Sequence, residues 1–365
     1  MLTYLTYIFS PLIVASFFCL VGKSSINLNE LNKKRYLWVV GCVMALFIGL
    51  RHYSNGSGDS GFYYQNWIML SQIPVKELFD VAANIDMEDG YLYTVWLLSH
   101  IFIEPQFVFI LSGIFFAATI CVFVKRNCTN VILGLLVFNC LGEFNFIVQG
   151  LRQGIAMCIC LWALEKCKKR QFWRFLLLIV VAVSFHASAV VFLPMYFIGR
   201  FKFNLKYVVL FIAGCIVAIF SLQQLFTVVN FLINDSYEIG RGMDDGSGSI
   251  TIFIHLSIVL MGLLFYDKNN ELPQNKNYAL FFYMTCIALI SFTMRNVVSG
   301  IAERISFYFA FGEMILIPGA VSCLHDEKVK ILLTIIIVLL CMGVAFHKAS
   351  YTILIPYNFC WENVN

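Results

Sequence analysis

Residues 107–124 read FVFILSGIFFAATICVFV, eighteen apolar, small or hydroxyl residues without one charge, closed by Lys125-Arg126. A run of that length matches the hydrocarbon thickness of a bilayer at helical rise, and the basic pair is a typical stop on the cytoplasmic side. Working outward, similar runs recur along the chain. The spacing predicts crossings at 6–21, 36–50, 107–124, 131–147, 153–167, 175–185, 187–199, 207–229, 250–266, 278–294, 305–323 and 331–346. The composition agrees: of 365 residues, 60% are hydrophobic and 13% charged, about half the charge of soluble domains. The expected fold is therefore all-α, a polytopic integral membrane protein of about twelve transmembrane helices with short or re-entrant segments. It forms one transmembrane domain over 1–365, with outer loops at 51–90 and 234–249. The first run has no positive residue before it and no small-residue cleavage signature, so it reads as a retained helix. The thirteen cysteines lie mostly within apolar runs and form no Cys-x-x-Cys pair, which reads as small core hydrophobes.

Charge sets the topology. If 175–199 is a hairpin turning near His186 and 90–103 does not cross, eighteen of the 25 Lys and Arg residues fall on one side, the cytoplasmic one by the positive-inside rule. A single span over 175–199 would reverse every later loop. Both termini then lie outside. The positives left outside are Arg51, Lys76, Arg152, Arg241, Arg295, Arg304 and Lys348. Most are arginine, whose planar fork matches phosphate oxygens two at a time. Arg51, Arg152, Arg295 and Arg304 stand at helix ends, where an unpaired guanidinium near hydrocarbon costs about 2–3 kcal/mol.

Several constellations gather on that outer side. Arg51 leads through glycines to Asp59 and the pair Tyr63-Tyr64, either an anion-facing loop or an interfacial one with aromatic anchors; no Gly-Lys-Ser/Thr makes it a P-loop. Asp86-Met-Glu88-Asp89-Gly90-Tyr91 offers carboxylates for a divalent cation, for a base toward a sugar hydroxyl, or merely for solvation. Glu143 and Arg152 flank a tight turn and can pair, which pins two helices or holds an arginine for diphosphate. His186, in Ser-Phe-His-Ala-Ser, is a general base, a phosphate-facing donor, or a histidine satisfied by a carbonyl. Glu303-Arg304 opens a helix that carries Glu313 roughly 14 Å further in, paired or marking a proton path. Loop 234–249 is glycine-rich and suits a connector or a gate. No zinc motif, dinucleotide fingerprint or nucleophile elbow is present, and nothing supports nucleic-acid binding.

At these residues the chain resembles the bacterial O-antigen and exopolysaccharide polymerases of the Wzy/EpsG type. The matching pieces are Gly49-Leu-Arg51, Gly58-Asp59, Tyr63 or Tyr64, Glu88-x-Gly90-Tyr91, Arg152-Gln-x-Ile-Ala156 and Phe185-His186-x-Ser188-Ala. They continue with Arg304-Ile-x-x-Tyr308-Phe309, Pro318 and Pro356-Tyr357. They run in family order from Arg51 to Tyr357, although Asp59 is followed by Ser60 where the family usually has Tyr. The resemblance implies a multi-pass glycosyltransferase of the bacterial inner (cytoplasmic) membrane, its active site facing the periplasm. Its substrate would be undecaprenyl-diphosphate-linked oligosaccharide, polymerised into O-antigen, capsule or exopolysaccharide. His186, Glu88 and Asp59 would be catalytic. Arg51, Arg152, Arg304 and Arg295 would meet diphosphate, and Tyr64 and Tyr91 would stack on sugars. No cofactor is implied; a divalent metal at Asp86, Glu88 and Asp89 is the minor alternative. Implied partners are membrane lipid, a chain-length regulator and a flippase. A flippase or transporter of the same lipid-linked oligosaccharide is the competing reading, since it shares the many crossings and embedded charges such as Glu313. An acyltransferase is weaker, for want of a His-Asp-like pairing.

Overall fold

The computed structural model describes residues 1–22, 30–55, 58–85, 87–200, 247–266, 277–294 and 301–362, with single positions at 209, 213 and 217. The described residues are mostly helical. The first helices are α1 (Leu2–Ile8), α2 (Ser10–Gly22), α3 (Glu30–Gly49), α4 (Gly58–Ser71), α5 (Leu78–Asn84), α6 (Asp89–Ile101), α7 (Phe107–Asn127), α8 (Val131–Leu141) and α9 (Glu143–Gln149). After these come α10 (Leu151–Lys168), α11 (Phe172–Phe185), a 3₁₀ segment (Ala187–Phe192) and α12 (Met195–Ile198). Then follow α13 (Ser247–Leu264), α14 (Tyr278–Thr293), α15 (Ile301–Ala310), α16 (Glu313–Ser322) and α17 (Glu327–Ala349). Among the described residues the only β-type pairing is one bridge between Arg51 and Phe359.

This is a membrane protein. Helices α7 and α17 are each long and apolar enough to cross a bilayer unaided. The apolar window of α17 is only 17% buried within the protein, against 56% for α7, so α17 faces lipid while α7 is central. Its outward residues Leu332, Ile335, Leu339 and Leu340 join those of α13 and α11, such as Phe253, Leu260 and Leu177, in an apolar exterior that only hydrocarbon suits.

Twelve straight crossings are not what the described residues show. By length and composition they hold two spans, or four if each bent pair is one. The predicted 131–147 span is broken at Gly142, whose φ of +119° needs glycine's left-handed freedom, and α8 and α9 meet at 59°. The 305–323 span bends by 41° between α15 and α16, with Pro318 inside the second half and unable to donate to the helix ladder. The 6–21 span divides at Phe9, just before Pro11. Over 90–103 lies α6, thirteen residues long, too short to cross alone. The chain does fold back at His186: Tyr196 returns to stack edge-on against Phe172 at 5.0 Å and donates to the Arg170 carbonyl at 3.1 Å. The second arm is 3₁₀ and a single helical turn, not a regular helix. The predicted 207–229 span and residues 234–246 lie outside the described residues.

Helices α3 and α7 pack through small residues. A methyl group on Gly113 would sit 2.9 Å from the Ala45 carbonyl oxygen, and one on Gly49 would sit 3.0 Å from Ile110 Cα, the close backbone approach that drives helix association in lipid. At one end, α7 and α10 are tied by Asn127, Glu165 and Lys168, with Lys168 Nζ 2.7 Å from Glu165 and 2.6 Å from Asn127. At the other end the C-terminal segment closes the exit of α3. Tyr357 stacks on Phe47 at 3.9 Å and donates to its carbonyl, and Cys360 N–H donates to Leu50 at 2.8 Å. Gly113→Leu is expected to destabilise the protein by about 1–3 kcal/mol through overpacking, read as a lowered thermal midpoint in detergent.

Candidate active site

The end of the bundle opposite the Glu165 clamp assembles four separate pieces of sequence. The first is the entrance to α6. Gly90 packs against the end of α11 so closely that a Cβ would fall 2.2 Å from Ser184 Oγ and 2.6 Å from its carbonyl oxygen. Only glycine lets these backbones touch, and the contact places Glu88, the residue before α6, beside the turn at His186. Glu88 Oε1 accepts from the Ala187 N–H at 3.2 Å, and Oε2 meets Arg152 at 2.5 Å.

Arg152 stands in the first turn of α10. Besides Glu88 it faces the buried Tyr63 hydroxyl, and its Cζ lies 6.0 Å from the centre of the Tyr91 ring. Its Nε is buried without a partner. The guanidinium is held on one side by a carboxylate and aromatic rings, and its side chain keeps 23% of its surface open, through which a further acceptor can reach it. The expected partner was Glu143; the structure gives Arg152 to Glu88 instead. The bend at Gly142 carries Glu143 inward, where it is buried.

His186 is extended (φ −160°, ψ 119°) and caps the 3₁₀ segment, its Nδ1 accepting from the Ser188 N–H at 3.3 Å. A backbone N–H can only donate, so in the neutral ring the proton sits on Nε2. Ser188 Oγ lies 2.7 Å from the same Nδ1 and 2.9 Å from the Tyr308 hydroxyl. With Nδ1 an acceptor, the chain runs from Tyr308 O–H to Ser188 Oγ to His186. Tyr308 is buried, whereas Arg304, one turn earlier on α15 and so on the same face, is exposed. Gln153 anchors that turn by donating to the Arg304 carbonyl at 2.8 Å. Burial pushes the His186 ring below its ordinary 6.5; Glu88 opposes the shift, and Arg152 and Arg304 add to it.

The remaining candidates are distributed as follows. Asp59 is exposed in the first turn of α4, makes no hydrogen bond or ion pair among the described residues, and stands four residues before Tyr63 on its face. Tyr64 is half-buried and stacks on Tyr53 at 4.7 Å. Tyr91 is buried, edge-on to Tyr63 at 5.8 Å, and offers no open ring face for a sugar. Arg51, expected to face a ligand from a loop, is wholly buried: its backbone bridges Phe359, and its guanidinium donates to the Val148 carbonyl and lies 4.3 Å from the centre of the Phe109 ring. It therefore joins α3, α7 and α9. Arg295 and Asp86 lie outside the described residues. Glu88 is committed to Arg152, Asp89 is exposed, and no three potential ligands among the described residues cluster around a metal position. Two residues gained meaning only in three dimensions. Ser188 and Tyr308 were visible as motif members, but their hydrogen bond spans 120 positions.

Fold and site together define a helical membrane protein with a cationic, histidine-bearing centre at one end of its bundle. The EpsG family model matches residues 34–359, and the chain belongs to the EpsG family. No curated protein and no solved structure matched it. Burial disfavours the charged imidazolium, so a histidine-selective NMR titration is expected to show one ring with a midpoint below 6.5 that disappears in His186→Gln.

Proposed function

We propose that this protein polymerises undecaprenyl-diphosphate-linked oligosaccharide repeat units into an exopolysaccharide, capsule or O-antigen, with the Glu88–Arg152–His186 centre facing the periplasm. Membership of the EpsG family supports the reaction class, and the positive-inside distribution supports the side. The observation that carries the reading is the convergence of Glu88, Arg152 and Arg304 on His186, with Arg152 held by Glu88. A glycan leaving a lipid diphosphate builds negative charge on the phosphoryl oxygens, and fixed donors aimed there stabilise that charge without reorganising. Diphosphate is a good leaving group, so a cationic cradle serves it better than a strong acid.

The roles follow from the hydrogen bonds. Glu88 spends both oxygens holding Arg152 and Ala187, which makes it the positioning residue for the guanidinium. His186 presents Nε2–H as a donor to a phosphoryl oxygen, its orientation set by Ser188 and Tyr308. Arg304 supplies the second cation. Asp59 is the carboxylate with no competing partner, and it suits the role of base for the attacking sugar hydroxyl. The bond from the anomeric carbon to the diphosphate breaks, a bond to the acceptor oxygen forms, and the hydroxyl proton passes to Asp59. About twelve crossings, some of them bent or incomplete, would enclose this centre.

Purified protein given only lipid-linked repeat units, without nucleotide sugar, is expected to yield a ladder of products. Arg152→Ala and His186→Ala are each expected to slow it by about 10²- to 10³-fold, the usual effect of removing one charge-stabilising donor, in protein that still shows a cooperative thermal melt. His186→Gln, which keeps an N–H, should lose less than His186→Ala. A wild type that makes no ladder, yet moves the same lipid across reconstituted vesicles, would replace the polymerase with a flippase.

A further inference from the structure

A second polar site contains none of Glu88, Arg152, His186 and Arg304. A cavity of about 270 Å³ opens between α9, α13, α15 and the end of α17, lined by Asn145, Gln149, His255, Glu303, Lys348 and Tyr351, with Phe307 on its wall. Its charges are embedded. Lys348 donates to the Leu141 carbonyl and feels Glu143, Glu303 and Glu313 around it. His255 pairs with the fully buried Glu313, whose second oxygen has no partner. Asn145, also in the lining, accepts from the Tyr4 hydroxyl through Oδ1 at 2.8 Å, so its two N–H donors are not used by that bond.

Helix α15 separates the two sites. Arg304 and Tyr308 lie on one of its faces and serve the cationic centre. Glu303 and Phe307, also four residues apart, lie on the neighbouring face and line the cavity; Phe307 stacks on Phe146 at 4.4 Å. The chemistry of the two faces is opposite. The cavity lining carries one carboxylate, Glu303, and its two basic groups are already engaged, Lys348 with the Leu141 carbonyl and the surrounding acids and His255 with Glu313, so among the described residues no free arginine fork faces a diphosphate there. A carboxylate, amides and an ammonium instead match the alternating donors and acceptors of ring hydroxyls, and aromatic walls match the apolar face of a sugar. The volume, about 270 Å³, falls just under the roughly 300 Å³ at which drug-sized ligand pockets begin, a size for one sugar ring.

We infer that this cavity is a sugar subsite that binds the terminal, phosphate-free ring of the acceptor glycan, on the face of α15 that adjoins the one serving the donor's diphosphate, about 100° round the helix. The assignment of that ring to an acceptor rests on the polymerase reading; the binding of an uncharged sugar does not. Helix α15 would then sort the two substrates by charge, anionic head to Arg304 and neutral ring to Glu303.

The test uses the full protein in detergent and, as probe, the producing cell's own repeat-unit oligosaccharide released from its lipid by mild acid and freed of phosphate. Calorimetric titration is expected to show binding by wild type, weakened at least about ten-fold in Gln149→Trp, which fills the cavity, and in Glu303→Gln, which removes a hydroxyl acceptor. Arg152→Ala is expected to bind it as wild type does. A thermal melt of each variant confirms folding, and Glu303→Gln, nearly isosteric, carries the test if Gln149→Trp does not fold. Binding untouched in both cavity variants, lost in Arg152→Ala, or absent in wild type overturns the subsite. If wild type makes the polymer ladder and the subsite fails, the polymerase reading stands. If the ladder fails and the cavity variants lose the oligosaccharide, the sugar subsite stands in a protein with another activity.

Discussion

An arginine beside a hydrocarbon layer must be paired, and in this protein the pairing of Arg152 with Glu88 organises everything around it. The two residues are 64 positions apart, so their contact draws the 51–90 segment onto the start of α10. Glu88 reaches there because Gly90 lets α6 touch Ser184, and the same approach brings the Ala187 N–H to Glu88. Removing one partner of a largely desolvated pair strands the other, at about 3–5 kcal/mol when burial is complete. Here each side chain keeps about a fifth of its surface, so the cost is smaller, and a ligand can still reach the guanidinium. The pair thus holds Arg152 without closing it off.

The two polar regions at this end follow from two helix breaks. Gly142 turns α8 into α9, which moves Glu143 into the interior beside Lys348 and leaves Arg152 to Glu88. The bend between α15 and α16 places Glu313 opposite His255 while α15 presents Arg304 outward. A straight helix at either place would have merged the two sets of charges. Bent and half-length segments are tolerated in a membrane where other helices cover the freed backbone groups, and functional centres are commonly built there.

Much of this was legible in the sequence, for identifiable reasons. Long apolar runs such as 107–124 declare a membrane helix through composition alone. The fold-back at His186 was legible from the basic clusters around it, because one continuous span would have put Arg200, Lys202 and Lys206 on the wrong side. Arg152 and Arg304 stood out as costly charges near hydrocarbon, and Glu88 and His186 as polar residues placed by the same topology on their side. Their partners did not: a side chain's distant neighbour leaves no mark in a local window. Glu143 was the obvious partner for Arg152 by proximity in sequence, and a single left-handed glycine redirected it. Arg51 was misplaced for a related reason, since nothing near residue 51 announces that 357–360 returns to cover it. Gly142, Gly312 and Pro318 were the available signs that 131–147 and 305–323 would bend, and the hydropathy of the flanking residues masks them.

The central claim is that Glu88 acts through Arg152, and a double-mutant cycle on polymer synthesis tests it most directly. Glu88→Gln, Arg152→Lys and the double variant would be compared with wild type for initial rate on lipid-linked repeat units, each checked for folding. If Glu88 serves to position the guanidinium, the double variant will be little worse than the more impaired single one, giving a coupling of about 1 kcal/mol or more. Losses that multiply, with no coupling, would contradict the account and show that the two residues act independently.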